Sequence, residues 1–307
     1  AEDGREGLNV KLRTFAEYDD DLTHACESAL GMLLRAFGTL APTLRLVGGL
    51  VPRYLTPEAP PDVPKHAGTT DVDVVLAIEV LAEKGKYNKL SEQLKANGFS
   101  RVVNEDGKVS FWRWERKVDG QNIVVEFLQH TDDPDKNARA QSVIDEGVSA
   151  MQILHAGVVH EMYLEREVIV ELPDGNGKAK IPIRHADAVA FILLKALAFD
   201  DRKTNKDAAD LIHVMRYADS IEKLAALYAH RVKEGKHHDA LERGLQALER
   251  KFCDDKDIEG FEKEGPSQFC AFHEIGEQGS EERLLEQRNV SGLVTEFVTL
   301  VRAHTKA

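Results

Sequence analysis

The sequence lacks the cysteine pattern of a disulfide scaffold or a zinc module. Its three cysteines, Cys26, Cys253 and Cys270, are scattered and form no CxxC pair. That excludes a cysteine framework and fits a reducing compartment. The twelve histidines fall at no metal-ligand spacing. Positive charge is also in short supply: 40 Lys and Arg against 53 Asp and Glu leave a net charge of −13. A broad nucleic-acid footprint rests on a basic face, so a polyanion would have to meet a local groove. No apolar run can span a bilayer; residues 186–198 are too few and too interrupted. No basic segment leading into an apolar one opens the chain, so no secretory signal is expected and a cytoplasmic location is. What is present is globular: 307 residues, 42% apolar and 30% charged, enough for one large domain or two ordinary ones.

Periodicity divides the chain. Residues 20–39 carry apolar side chains at helical spacing (Leu22, Ala25, Leu30, Leu33, Leu34, Phe37). Leu44–Val47 reads as a strand ending at Gly48 and Gly49, after which a helical pattern starts. Residues 56–68, with Pro57, Pro60, Pro61 and Pro64, read as a loop. A β-branched strand is expected over 72–78 and a helix over 81–97, stopped by Gly98. Two hairpins follow, 109–116 with 122–128 through Asp119–Gly120, and 167–172 with 179–183. From His185 the pattern is helical: 186–199, 206–217, 221–234, 239–252, then a polar stretch over 254–279 and a last helix over 281–304. The expected fold is α+β, with an α+β domain over 1–184 and a helical domain over 185–307.

The chemistry gathers in GTTDVDVVL, residues 68–76. Side chains alternate along a strand, so Asp71 and Asp73 share one face and Val72 and Val74 the other. Two carboxylates side by side repel unless solvated or bridged by positive charge. Mg²⁺ supplies that charge through one or two carboxylates plus substrate phosphates. Solvated acids at a loop end are the plainer alternative. Gly48–Gly49 fits a turn whose backbone N–H groups face a phosphate, or simply a tight turn. Glu126, in the apolar run IVVEFL (residues 123–128), is a third acid on a separate strand. Trp112 and Trp114, two apart, are expected to share a face and pack in the core. Lys84, Lys86 and Lys89 beside Tyr87 form a small basic patch.

LVGG (46–49), TDVDVVL (70–76) and VVEFL (124–128) together resemble the nucleotidyltransferase superfamily that includes DNA polymerase β, with its hydrophobic-Gly-Gly, Asp-x-Asp and later third acid. The proline-rich stretch lengthens the gap between Gly49 and Asp71 beyond that family's usual pattern. A phosphate-cradling role for the glycines therefore depends on their lying beside the aspartates. A second stretch, LLKALAFDDRKTNKDAADLI (193–212), is similar to the K…R…KD..DL element of AbiEii/AbiGii-type nucleotidyltransferase toxins, the enzymatic half of bacterial toxin–antitoxin pairs. Taken alone, Lys195 also reads as a snorkelling lysine, and Lys203 with Asp207 as ordinary helix support.

The resemblance covers roughly residues 44–215 and implies a polymerase β-like mixed sheet with flanking helices. It implies a metal-dependent transfer of a nucleotide from an NTP to an acceptor hydroxyl. Asp71, Asp73 and Glu126 would hold Mg²⁺ or Mn²⁺; Gly48, Gly49 and Thr70 would cradle the triphosphate. Lys195 would pair with phosphate oxygens, and Asp207 would complete the catalytic set. The implied acceptor is the 3′ end of tRNA, with a cognate antitoxin as a possible protein partner and no membrane. Two alternatives stay open: transfer to a small, antibiotic-like acceptor, or a non-catalytic nucleotide- or partner-binding module.

Overall fold

A computed structural model describes residues 12–77, 90–142, 147–173 and 175–306. The basic patch at Lys84–Lys89 and the first part of the helix expected over 81–97 lie outside the described residues. The fold is α+β, with a mixed sheet and a helical C-terminal region. The chain divides into two compact units: one of residues 1–11, 19–51 and 68–186, the other of 12–18, 52–67 and 187–307. The second unit thus takes in the proline-rich stretch, which its sequence position alone does not indicate.

Among the described residues the first unit is built on a sheet of nine strands: β1 (Leu44–Val47), β2 (Asp71–Leu76), β3 (Phe99–Val103), β4 (Val109–Val118), β5 (Gln121–Thr131), β6 (Ala140–Ser142), β7 (Ser149–Leu154), β8 (Tyr163–Glu171) and β9 (Lys178–Ala186). Their order is β3-β4-β5-β2-β1-β9-β8, with β7 joined to β5 and β6 joined to β7. β2 runs parallel to β5 and antiparallel to β1. The first expected hairpin forms, and its turn places Asp119 and Gly120 at φ 48° and 91°, the paired positive φ that a tight two-residue turn requires. The second hairpin is longer than its apolar pattern, because its ends are charged residues paired across the strands, such as Arg184 Nε with Glu165 (2.6 Å). β3, β6 and β7 were not expected from the sequence; they are short, three to six residues, and their apolar residues do not alternate cleanly along the chain.

Helix α1 (Asp20–Phe37) begins where the Asp19 carboxylate accepts from Asp21 N–H and ends at Gly38, φ 52°. The cap supplies an acceptor for an otherwise unpaired N–H, and glycine takes the positive φ without strain. Its apolar stripe covers one face of the sheet: Phe37 packs on Phe127 with ring centroids 5.8 Å apart. Val72 and Val74 are fully buried. Because Val74 is the register partner of Phe127, the valines point to the covered face and the alternating acids to the other.

The second unit contains the helices Ala188–Arg202, Asn205–Tyr217, Ile221–Lys233, His238–Phe252, Glu264–Phe272 and Glu281–Lys306. The Glu264–Phe272 helix occupies part of the stretch read as polar; Phe269, Cys270 and Phe272 supply its buried side. Phe199, Phe252, Tyr228 and Phe297 form the centre, and the buried Tyr228 hydroxyl donates to Leu241 O at 2.8 Å. Among the described residues no helix is long and apolar enough to cross a membrane.

Candidate functional site

The register of the central strands gathers the residues that the sequence left far apart. Val47 pairs with Asp73, and Asp73 with Glu126. Glu126 in turn pairs with Arg113 on β4. Facing partners in a sheet share a face, so Asp73, Glu126 and Arg113 form one row, with Asp71 two residues along β2. The glycines sit at the β1 end of that row. Gly48 has φ +73°, and a Cβ placed there would lie 2.0 Å from Asp73 Oδ2. Only glycine lets the backbone approach the carboxylate this closely. The long gap between Gly49 and Asp71 is therefore no barrier to their meeting: antiparallel pairing of β1 and β2 closes it. Gly48–Leu50 form a single 3-10 turn, so what stands beside Asp73 is a tight turn and not the start of a long helix.

Asp71 and Asp73 are half-exposed. The Thr69 hydroxyl donates to Asp71 Oδ1 (2.9 Å), and Thr70 is half-exposed in the bend before β2. Behind them Cys26 of α1 is fully buried. Burial, and then the negative charges of Asp71 and Asp73, hold its thiol well above the usual cysteine range. Glu126 accepts from Arg113 Nε at 2.8 Å, with both side chains partly buried. Its inward charge thus has a protein partner, which sequence reasoning did not identify; the only available signal was that Arg113 and Glu126 face each other across a hairpin. Among the described residues, no group of three or more His, Cys, Asp or Glu side chains is drawn together to hold a metal ion. The three-acid set is aligned on one face, but Glu126 is turned to Arg113. The donor set that fits a hard divalent cation is Asp71 and Asp73 with ligand oxygens completing the sphere, the arrangement Mg²⁺ ordinarily takes.

Lys195 and Asp207 belong to the second unit, where they meet each other. Lys195 Nζ lies 2.9 Å from Asp207 Oδ1 and 2.8 Å from Asp210 Oδ2. Arg202 reaches both oxygens of Asp207 (2.6 and 2.8 Å), and Thr204 Oγ1 donates to it at 2.6 Å. Lys206 bonds to Asp210, as does His66 Nε2 (2.8 Å). Burial alone would push the Lys195 ammonium down, but the two aspartates hold it above the usual lysine range. Burial would likewise raise Asp207 and Asp210, and the neighbouring cations hold both below the usual carboxylate range. Lys195 is thus committed to two carboxylates instead of presenting a phosphate-binding charge. His66 comes from the proline-rich stretch, and nothing in its local sequence marks it as Asp210's partner.

No protein-family model and no curated protein matches this chain. The acid row with Gly48 is the candidate site for a cation and a phosphorylated ligand; the Lys195 network joins the Ala188–Arg202 and Asn205–Tyr217 helices.

Proposed function

We propose that the protein is a metal-dependent nucleotidyltransferase whose site is the Gly48–Asp71–Asp73–Glu126 face. The observation that carries this reading is the register Val47–Asp73–Glu126, which sets the positive-φ glycine against the middle carboxylate of an acid row. Asp71 and Asp73 would hold Mg²⁺ or Mn²⁺. When bound, such ions neutralise the phosphates and lower the pKa of an attacking hydroxyl. Gly48 and Gly49, with Thr70 ahead of β2, would cradle the triphosphate through backbone N–H groups at the β1 edge of the row. In the reaction the acceptor oxygen bonds to the α-phosphorus as its proton departs, and the bond to the β-phosphate breaks to release pyrophosphate. The polymerase β-like fold, the tRNA 3′ end as acceptor and the toxin role with its antitoxin are supported by the motif resemblance alone.

The test incubates the purified chain with labelled NTPs, Mg²⁺ and total tRNA, with EDTA and Asp73→Asn as controls. Label entering RNA only with metal and with Asp73 intact supports the reading. Label on small molecules alone moves the acceptor to that class. Transfer that survives Asp73→Asn sinks the assignment of the site.

A further inference from the structure

Trp112 does not lie where alternation would put it. Trp114 is fully buried, and a regular strand would bury Trp112 beside it. Between Val109, paired with Val103, and Trp114, paired with Arg101, β4 shifts register against β3. Its pairing with β5 reaches only as far as Arg113 opposite Glu126, and Ser110 Oγ accepts from Arg113 N–H at 3.1 Å. Irregularities of this kind re-aim side chains and recur beside functional sites. Here the half-buried Trp112 ring lies 4.4 Å from the Arg113 guanidinium, and Arg113 is bonded to Glu126 on the acid face. A tryptophan–arginine stack thus stands at the β4 end of the row whose β1 end is Gly48.

The two ends of that row are chemically distinct. In-line transfer places the leaving pyrophosphate and the attacking hydroxyl on opposite sides of the α-phosphorus. With the triphosphate at the Gly48 end, the acceptor enters from the β5–β4 side, where Trp112 and Arg113 stand. Indole and guanidinium faces are the surfaces on which unpaired bases stack, with little regard to sequence. We propose that Trp112, positioned by Arg113, is the stacking platform for the terminal unpaired base of a nucleic-acid acceptor. This rests on the nucleotidyltransferase reading and adds to it the element that takes the acceptor. It also answers the charge objection: with a net charge of −13, stacking supplies affinity that the overall field of the protein does not.

The experiment reads binding without turnover. The chain has two tryptophans, and the other, Trp114, is sealed in the core. Intrinsic fluorescence is followed as a short single-stranded oligoribonucleotide is added, and again with the same strand ending in an abasic residue. Quenching by the intact strand, absent with the abasic strand and absent in Trp112→Phe, is the expected result. Trp112→Ala should weaken binding of a labelled strand by roughly tenfold or more and raise KM for the acceptor while KM for NTP holds. Trp112→Phe should restore most of the affinity. Equal quenching by the abasic strand, unchanged affinity in Trp112→Ala, or quenching by NTP alone overturns the proposal. Failure of the nucleotidyltransferase reading is seen separately, as transfer that is absent or indifferent to Asp73→Asn.

Discussion

Asp71 with Asp73 and Asp207 with Asp210 are both closely spaced aspartate pairs, and the chain treats them in opposite ways. The second pair is sealed, each residue 1% exposed, and its charge is cancelled by Lys195, Arg202 and Lys206 with His66 alongside. The first pair stays half-exposed on its strand, beside a glycine whose missing Cβ lets the backbone approach the Asp73 carboxylate. A carboxylate pair neutralised from within stabilises one packing of helices. A half-exposed pair is the one offered as a candidate cation site. Similar motifs thus become a structural lock in one unit and a candidate ligand site in the other.

The largest effect is expected at Lys195. Lys195→Met leaves two buried carboxylates short of their central cation and is expected to destabilise the helical unit by about 3–5 kcal/mol, read by urea unfolding. A loss under about 1 kcal/mol would mean the network is not a lock. Asp73→Asn should do the reverse. The proposed nucleotide transfer should fall on the order of a hundredfold or more, the scale of removing one preorganised electrostatic group, while the urea midpoint holds. A large drop in stability there would make the acid row structural.

Acid should act on the buried pair and its histidine partner. Burial, reinforced by Lys206, lowers the pKa of His66 to about 4. Between about pH 6.5 and pH 4 the unfolded chain takes up that proton and the folded chain does not, so stability falls as pH falls through this window. Below it, Asp207 and Asp210, held under the usual carboxylate range, extend the loss. The urea midpoint should therefore decline steadily from pH 7 to 4. His66→Gln should flatten part of the slope, the rest remaining with His213 and His273, which burial lowers to about 3 and about 4, and with His185, which burial also lowers. Identical slopes in the two proteins would remove His66 from the account. The smallest effect is expected at Gly48→Ala, about 1 kcal/mol of stability for a non-glycine at positive φ. Transfer should drop roughly tenfold because the added methyl displaces the Asp73 carboxylate. Full activity in that variant would separate Gly48 from the site.

Much of the frame was legible from periodicity. The helix beginning at Asp20, the β1 and β2 strands, the hairpin through Asp119–Gly120 and the helices from residue 188 follow from local pattern and capping. The placement of Trp112 was not legible, because alternation assumes an unbroken ladder and β4 breaks it. The partners of Lys195 were half legible: Asp207 and Asp210 stand in the quoted motif, but burial, which decides whether a lysine meets carboxylates or a ligand, is not a local property.

By itself the sequence determined that Asp71 and Asp73 share a face, since strand periodicity is two, and that Gly48 can adopt a backbone conformation other residues avoid. Tertiary structure alone decided that Gly48 lies against Asp73, that Glu126 joins their row with Arg113 as its partner, and that Lys195 is held by two aspartates. Each of these depends on which strands or helices become neighbours. That choice is made by the summed burial of apolar faces over the whole unit, and no short stretch of chain encodes it.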